Sequence, residues 1–158
     1  MSDRPRPSAF DHALRLLAQR PHFRDELARK LARKGHSPDD VADALERSAT
    51  LGYLDDAALA AAEAERLAQR KGLGRAGVAA ELRRKGADPS AVGAALADSS
   101  PEEERARARA AAERWLRTHR GDAAALARHL ERKGYAPSIV YGIVGELVPG
   151  DEPGDPET

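Results

Sequence analysis

One eleven-residue frame, Leu-x-Arg-Lys-Gly-x-x-Pro-x-x-Val, occurs three times in this chain, at Leu31–Val41, Leu82–Val92 and Leu130–Val140. Its glycines fall at positions 35, 86 and 134, so the copies are 51 and 48 residues apart. Three copies of so specific a pattern point to a fold built by repetition. Each copy spells a helix end, a tight corner and a helix start. A glycine just past the last helical turn takes the left-handed conformation without a Cβ penalty. The proline three residues on suits a first turn, where no amide hydrogen is needed. Ser37 and Asp88 precede their prolines and can cap free amides, whereas Ala136 cannot, so the third corner is expected to be the least well capped.

The rest of the chain fills in around the frame. Residues 1–8 hold two prolines in their first seven positions and little to bury, and are expected to be disordered. Ser8 with Asp11 reads as a capping pair opening a first helix, with Phe10, Ala13, Leu14 and Leu17 on one face. A second helix carries Phe23, Leu27 and Leu31, and a third begins at Pro38 with Val41 and Leu45 inward. Asp55 is placed to cap the next helix, which runs to about Lys71 before glycines 72, 74 and 77 interrupt it. Val78 and Leu82 then repeat Leu27 and Leu31, and Val92 and Leu96 repeat Val41 and Leu45. Ser100, Pro101 and Glu102–Glu104 form the clearest helix start. That helix carries Trp115 and Leu116, and the one after it Leu126 and Leu130. Ile139, Val140, Ile143 and Val144 make the last helix the most apolar. No stretch alternates as a strand would. The expectation is an all-α fold of three tandem three-helix repeats, residues 9–54, 55–99 and 100–148, stacked into an elongated, curved body, with an acidic disordered tail over 149–158.

Composition removes several function classes. Cysteine is absent, which excludes disulfides and thiolate metal sites. The start, MSDRPRPSAF, has no apolar run behind its charges, and no segment is long and apolar enough to span a bilayer, so a cytoplasmic protein without membrane contact is expected. The five histidines show no HExxH spacing, and His119 and His129 lack a third partner, so no metal is expected. Gly72-x-Gly74-x-x-Gly77 matches the dinucleotide fingerprint, but that motif needs a strand before it and a charged helix precedes it here. A flexible helix junction fits those glycines better. No serine elbow or Walker lysine is present. The chain reads as a non-enzyme without a cofactor.

The basic residues carry more information. Residues 1–148 hold 26 cations against 22 acids, a net +4 that permits an acidic or nucleic-acid partner without demanding one. Only five cations are lysine, yet Lys34, Lys85 and Lys133 fall at one frame position, each after an arginine. With Arg29, Lys30, Arg33, Arg83, Arg84, Arg128 and Arg132 they put a basic end on the second helix of every repeat. Such cations offset a helix dipole by about 0.3–1 kcal/mol each. In a stacked repeat they would also line up as a stripe facing a partner. Sequence-specific groove reading does not fit, because a reading helix needs basic and amide side chains near its start. Here the helix after the first corner begins Pro38-Asp39-Asp40, the one after the second is nearly featureless, and the chain has no asparagine. Loose phosphate contact through the stripe remains open.

The triple frame, the Gly52-Tyr53-Leu54-Asp55-Asp56 link and the Arg70-Lys71-Gly72-x-Gly74 junction together resemble the RecX family, regulators of the RecA recombinase. The likeness spans about residues 10–148. Leu59 and Tyr135 stand where the family commonly has phenylalanine, and both keep an apolar group. The resemblance implies nine helices in three tandem units. It also implies a monomer that binds the RecA filament in its helical groove and inhibits ATP hydrolysis, strand exchange and co-protease activity. Direct contact with single- or double-stranded DNA would be weak and without sequence specificity. A non-specific DNA-binding protein and a generic helical-repeat adaptor are the other readings that the residues allow.

Overall fold

The computed structural model describes residues 4–150. Of the two ends expected to be disordered, residues 1–3 and 151–158 lie outside that range. Among the described residues there are nine α-helices and no strand: α1 (Ala9–Gln19), α2 (Arg24–Arg33), α3 (Pro38–Thr50), α4 (Asp56–Arg70), α5 (Arg75–Lys85), α6 (Pro89–Ala97), α7 (Pro101–Thr118), α8 (Ala123–Arg132) and α9 (Pro137–Leu147).

The three frames form the same corner. Gly35, Gly86 and Gly134 have φ of 90°, 99° and 86°. In each, the amide after the glycine donates to the carbonyl of the frame leucine: His36 to Leu31 at 3.4 Å, Ala87 to Leu82 at 2.9 Å and Tyr135 to Leu130 at 3.3 Å. That six-to-one bond defines a Schellman ending. The frame leucines are all fully buried, so one residue both closes the corner and anchors the core. Helix starts follow the sequence. Ser8 and Asp11 form a reciprocal capping box, Ser37 accepts from the Asp40 amide, and Ser100 from the Glu103 amide. Ala136 provides no side-chain cap.

The chain sorts into two compact units. One holds the described residues up to Glu63 together with Leu82–Ala95; the other holds Ala64–Glu81 together with the described residues from Leu96 onward. Helices α1–α3 close over Ala13, Leu27, Leu31, Ala44 and Leu45 in the first. Helices α7–α9 close over Ala108, Ala112, Leu126, Leu130, Val140 and Ile143 in the second. Alanine on the inner face of α7 lets its neighbours approach closely, which is how a chain poor in aromatics still packs.

Within each unit a corner is pressed against the start of an earlier helix. In the first unit, a Cβ on Gly86 would lie 3.1 Å from the Glu26 amide nitrogen in the opening turn of α2. In the second, a Cβ on Gly134 would lie 2.0 Å from the Gly77 amide nitrogen, and one on Gly74 would lie 2.6 Å from the Gly134 carbonyl. The Gly74 amide donates to the Lys133 carbonyl at 2.8 Å and the Ala76 amide to the Gly134 carbonyl at 3.2 Å. The glycines at 72, 74 and 77 were expected to loosen a helix junction. Gly74 and Gly77 instead permit backbone contact that any side chain would block.

Carboxylates from following helices complete these starts. The Arg24 amide at the head of α2 donates to Asp56 Oδ1 at 2.8 Å, and the Arg75 amide at the head of α5 donates to Glu104 Oε1 at 3.0 Å. Neither start can supply this bond itself, since Phe23 offers no cap and Gly74 has no side chain. In α8, by contrast, Asp122 caps its own helix through the Ala125 amide at 2.8 Å.

Gly134→Ala and Gly35→Ala separate conformational strain from close approach. Both sites have positive φ, but a Cβ on Gly35 meets nothing within 4 Å. Urea unfolding followed by circular dichroism should find Gly35→Ala costing about 1–2 kcal/mol from the left-handed backbone alone. Gly134→Ala should cost clearly more, because backbone must also move.

Candidate binding site

The ten cations expected to face a partner divide into two classes. Arg33, Lys34, Arg83, Arg128 and Arg132 are exposed, and no described residue hydrogen-bonds or ion-pairs with them. Arg29 is exposed too, with an ion pair to Asp25 at 2.9 Å one turn back. A surface pair at that spacing contributes about 0.3–0.5 kcal/mol and gives way readily to a better partner.

The other cations are taken up by the fold to different degrees. Lys85 Nζ sits 2.6 Å from Glu63 in a half-buried ion pair. Lys133 Nζ donates to the Lys71 carbonyl near the end of α4 at 2.8 Å. Burial, with Arg114 nearby, holds its ammonium below the ordinary lysine value. Lys30 Nζ lies 2.9 Å from His22 Nε2, and Arg84 is engaged in a contact of its own. At the lysine position the register is therefore broken: Lys34 is exposed, while Lys85 and Lys133 brace the structure. Sequence alone could not separate the three, because their partners, Glu63 and a backbone carbonyl, lie on another helix or just beyond its end.

Five of the ten meet across one groove of the first unit, with a volume of about 770 Å³. Arg29, Lys30 and Arg33 come from α2, and Arg84 and Lys85 from the end of α5. Arg20, which the sequence did not single out, joins them from the α1–α2 link, holding Glu26 through both carboxylate oxygens at 3.0 and 2.9 Å. Pro21, Phe23, Leu59 and Ala62 supply the apolar lining. Arg128, Arg132 and Lys133 belong to the second unit.

His22, 3% exposed, lies behind the α2 wall of this groove. Its Nδ1 is 2.9 Å from the Arg20 carbonyl. A neutral ring with hydrogen on Nδ1 donates to that carbonyl and accepts from Lys30 at Nε2. Glu26 stands 3.8 Å from Nε2. Burial, the largest influence, pushes the imidazole below its ordinary value, and the Arg20 and Lys30 charges act the same way.

Elsewhere, His12 Nδ1 lies 2.6 Å from His36 Nε2, and Trp115 stacks on His119 and His129 with ring centres 4.9 and 5.6 Å away. Among the described residues no group of three or more His, Cys, Asp or Glu could hold a metal ion. No helix among them is long and apolar enough to cross a membrane.

Comparison with known proteins gives this architecture relatives. The family model for the first three-helix domain of RecX matches residues 9–47. The regulatory protein RecX of Thermobifida fusca (strain YX) is 37% identical over 108 residues. That match covers 68% of this chain and 58% of the relative, so the chain spans a little over half the length of the curated protein it resembles. The crystal structure of RecX from Lactobacillus salivarius superposes with a TM-score of 0.78 at 20% identity, covering 88% of this chain and 94% of the other. A second crystal structure of a regulatory protein RecX gives a TM-score of 0.78 at 22% identity, covering 87% and 71%.

The histidine network predicts acid sensitivity. A folded-state pKa below the unfolded value means that the unfolded chain takes up the proton first, so stability falls as pH drops below the ordinary histidine value of 6.5. Thermal melts between about pH 7 and about pH 5 should show this loss. His22→Gln, which keeps a donor for the Arg20 carbonyl and an acceptor for Lys30, should reduce the slope. His12 and His129, whose values are also lowered mainly by burial, account for the remainder.

Proposed function

We propose that this chain, which belongs to the RecX family, is a regulatory protein that binds the RecA nucleoprotein filament. In this reading it restrains RecA ATP hydrolysis, strand exchange and co-protease activity, working in the cytoplasm. The observation that supports the reading is the set of exposed arginines around the repeated frame, unpaired in the free protein. Arg33 and Arg132 occupy the arginine position of their copies, and Arg83 and Arg128 lie on the same helix ends. Arginine presents a planar fork that matches carboxylate or phosphate bidentately. An unpaired fork on the surface gives up little on meeting such a partner.

The mechanism would be differential binding. A helical body that contacts neighbouring filament subunits favours the inter-subunit geometry it fits and opposes others. If hydrolysis and strand exchange require the filament to change that geometry, a bound regulator slows both without any catalytic group of its own. Lys85 and Lys133 are poor places to probe this idea, because reversing them would break contacts within the fold.

The test reverses the exposed arginines and leaves the bracing lysines in place. Arg33→Glu, Arg83→Glu, Arg128→Glu and Arg132→Glu in one variant should retain helical content. In low salt this variant should weaken co-sedimentation with RecA filaments, and inhibition of their ATP hydrolysis, by about tenfold or more. Unchanged inhibition would show that these arginines do not meet the filament. Tight binding of the wild-type chain to bare DNA, falling steeply with salt, would replace the reading with non-specific nucleic-acid binding.

A further inference from the structure

We propose that the groove of the first unit is a docking site for an acidic peptide segment bearing an apolar anchor side chain. This deepens the regulatory reading, on which it rests in one respect: the segment would belong to the protein partner. Three features of the groove carry the inference.

The first is charge. Six cations line the groove against two carboxylates. Both carboxylates are already neutralised, Glu26 by Arg20 and Glu63 by Lys85. Of the other four cations, Arg84 is engaged in a contact of its own. Arg33 is unpaired, and Arg29 holds only a surface pair with Asp25. Lys30 is spent on a neutral acceptor, His22 Nε2, at 2.9 Å. An incoming carboxylate would offer Lys30 an opposite charge, which the neutral imidazole cannot.

The second is the apolar lining. Leu59 and Ala62, one turn apart on α4, face the groove beside Pro21, with Leu59 half-buried and Ala62 exposed. A volume near 770 Å³ can hold an aliphatic or aromatic side chain with its flanking backbone. Cations around an apolar lining suit an amphipathic segment whose apolar residue enters the groove while acids on either side reach the rim.

The third excludes nucleic acid as the preferred occupant. Channels that take single strands offer exposed aromatic faces for bases. The only aromatic residue lining this groove is Phe23, which is 2% exposed. Phosphates could meet the rim, but no ring is available to stack a base.

The experiment uses fluorescence anisotropy with the whole chain and three fluorescein-labelled probes. These are an acidic octapeptide containing one leucine and one phenylalanine, the same peptide with both replaced by glycine, and a short oligothymidylate. Ala62→Trp fills the groove from an exposed helix position, and Arg33→Glu reverses an unpaired rim charge. The first peptide should bind the wild-type chain best and lose about tenfold or more in affinity in each variant. Should Ala62→Trp fold poorly, Arg33→Glu and the glycine peptide still decide the matter. The proposal is overturned if the first peptide does not bind, if the glycine peptide binds equally well, if neither variant weakens binding, or if the oligothymidylate binds more tightly. RecA filament co-sedimentation, run in parallel, separates the two readings. Lost peptide binding with intact filament binding removes the groove alone, whereas peptide binding without filament binding removes RecA as the partner and leaves the groove.

Discussion

The start of an α-helix has amide groups that its own turns cannot satisfy, and the way this chain satisfies them at α2 and α5 shapes everything around them. Neither helix brings its own cap. Asp56, from the opening turn of α4, takes the Arg24 amide, and Glu104, from the opening turn of α7, takes the Arg75 amide. A frame glycine then presses in beside each start, Gly86 against α2 and Gly134 against α5. Burial raises the Asp56 carboxyl above its ordinary value, opposed by the amides of Arg24 and Asp88 that donate to it. The same corner that ends one helix thus completes the beginning of another. The second helix of the third copy, α8, carries its own cap in Asp122. This arrangement also gives physical content to the division of the chain into two units. The end of α5 and most of α6 belong with α2, while the start of α5 belongs with α7–α9.

That use of the corners decides which cations remain for a partner. The frame places an arginine and a lysine at each helix end, where either would ease the dipole. The fold then draws Lys85 onto Glu63 and Lys133 onto the Lys71 carbonyl; Arg84 is engaged as well, while Arg132, and in the first copy both Arg33 and Lys34, stay exposed. A compact ammonium on a flexible stem reaches a half-buried acceptor at little geometric cost, whereas a guanidinium is better matched to a partner's carboxylates or phosphates. In the third copy the two basic residues part in this way: Lys133 braces and Arg132 is offered.

Much of the fold could be read from the residues, because its signals are local. Glycine, proline and the frame leucine fix each corner within eleven positions, and Ser8, Ser37, Asp55 and Ser100 cap the helices they precede. The missing cap at Ala136 was equally visible. What escaped was every feature made between distant segments. Asp56 and Glu104 look like ordinary first-turn acids, and nothing nearby reveals that they serve a helix 32 or 29 residues earlier. The 72–77 glycines suggested looseness, because glycine permits both freedom and close approach and only the neighbouring backbone shows which is used. The basic cluster was legible as composition. Its division into bracing and free groups, and its meeting across a groove with Arg20 and Leu59, depends on side chains from α2, α4 and α5 converging.

On the proposed reading, a protein partner meets the chain at the basic ends of its frame helices and, in the first unit, across the α2–α4–α5 groove. Hydrogen–deuterium exchange of the chain with and without RecA filaments tests this most directly. Slowed exchange at Lys30–Lys34 and Arg83–Lys85, together with the exposed turn of α4 around Leu59 and Ala62, is the predicted result. Protection confined to the α3 and α6 faces, with these segments exchanging as fast as in the free protein, would contradict it.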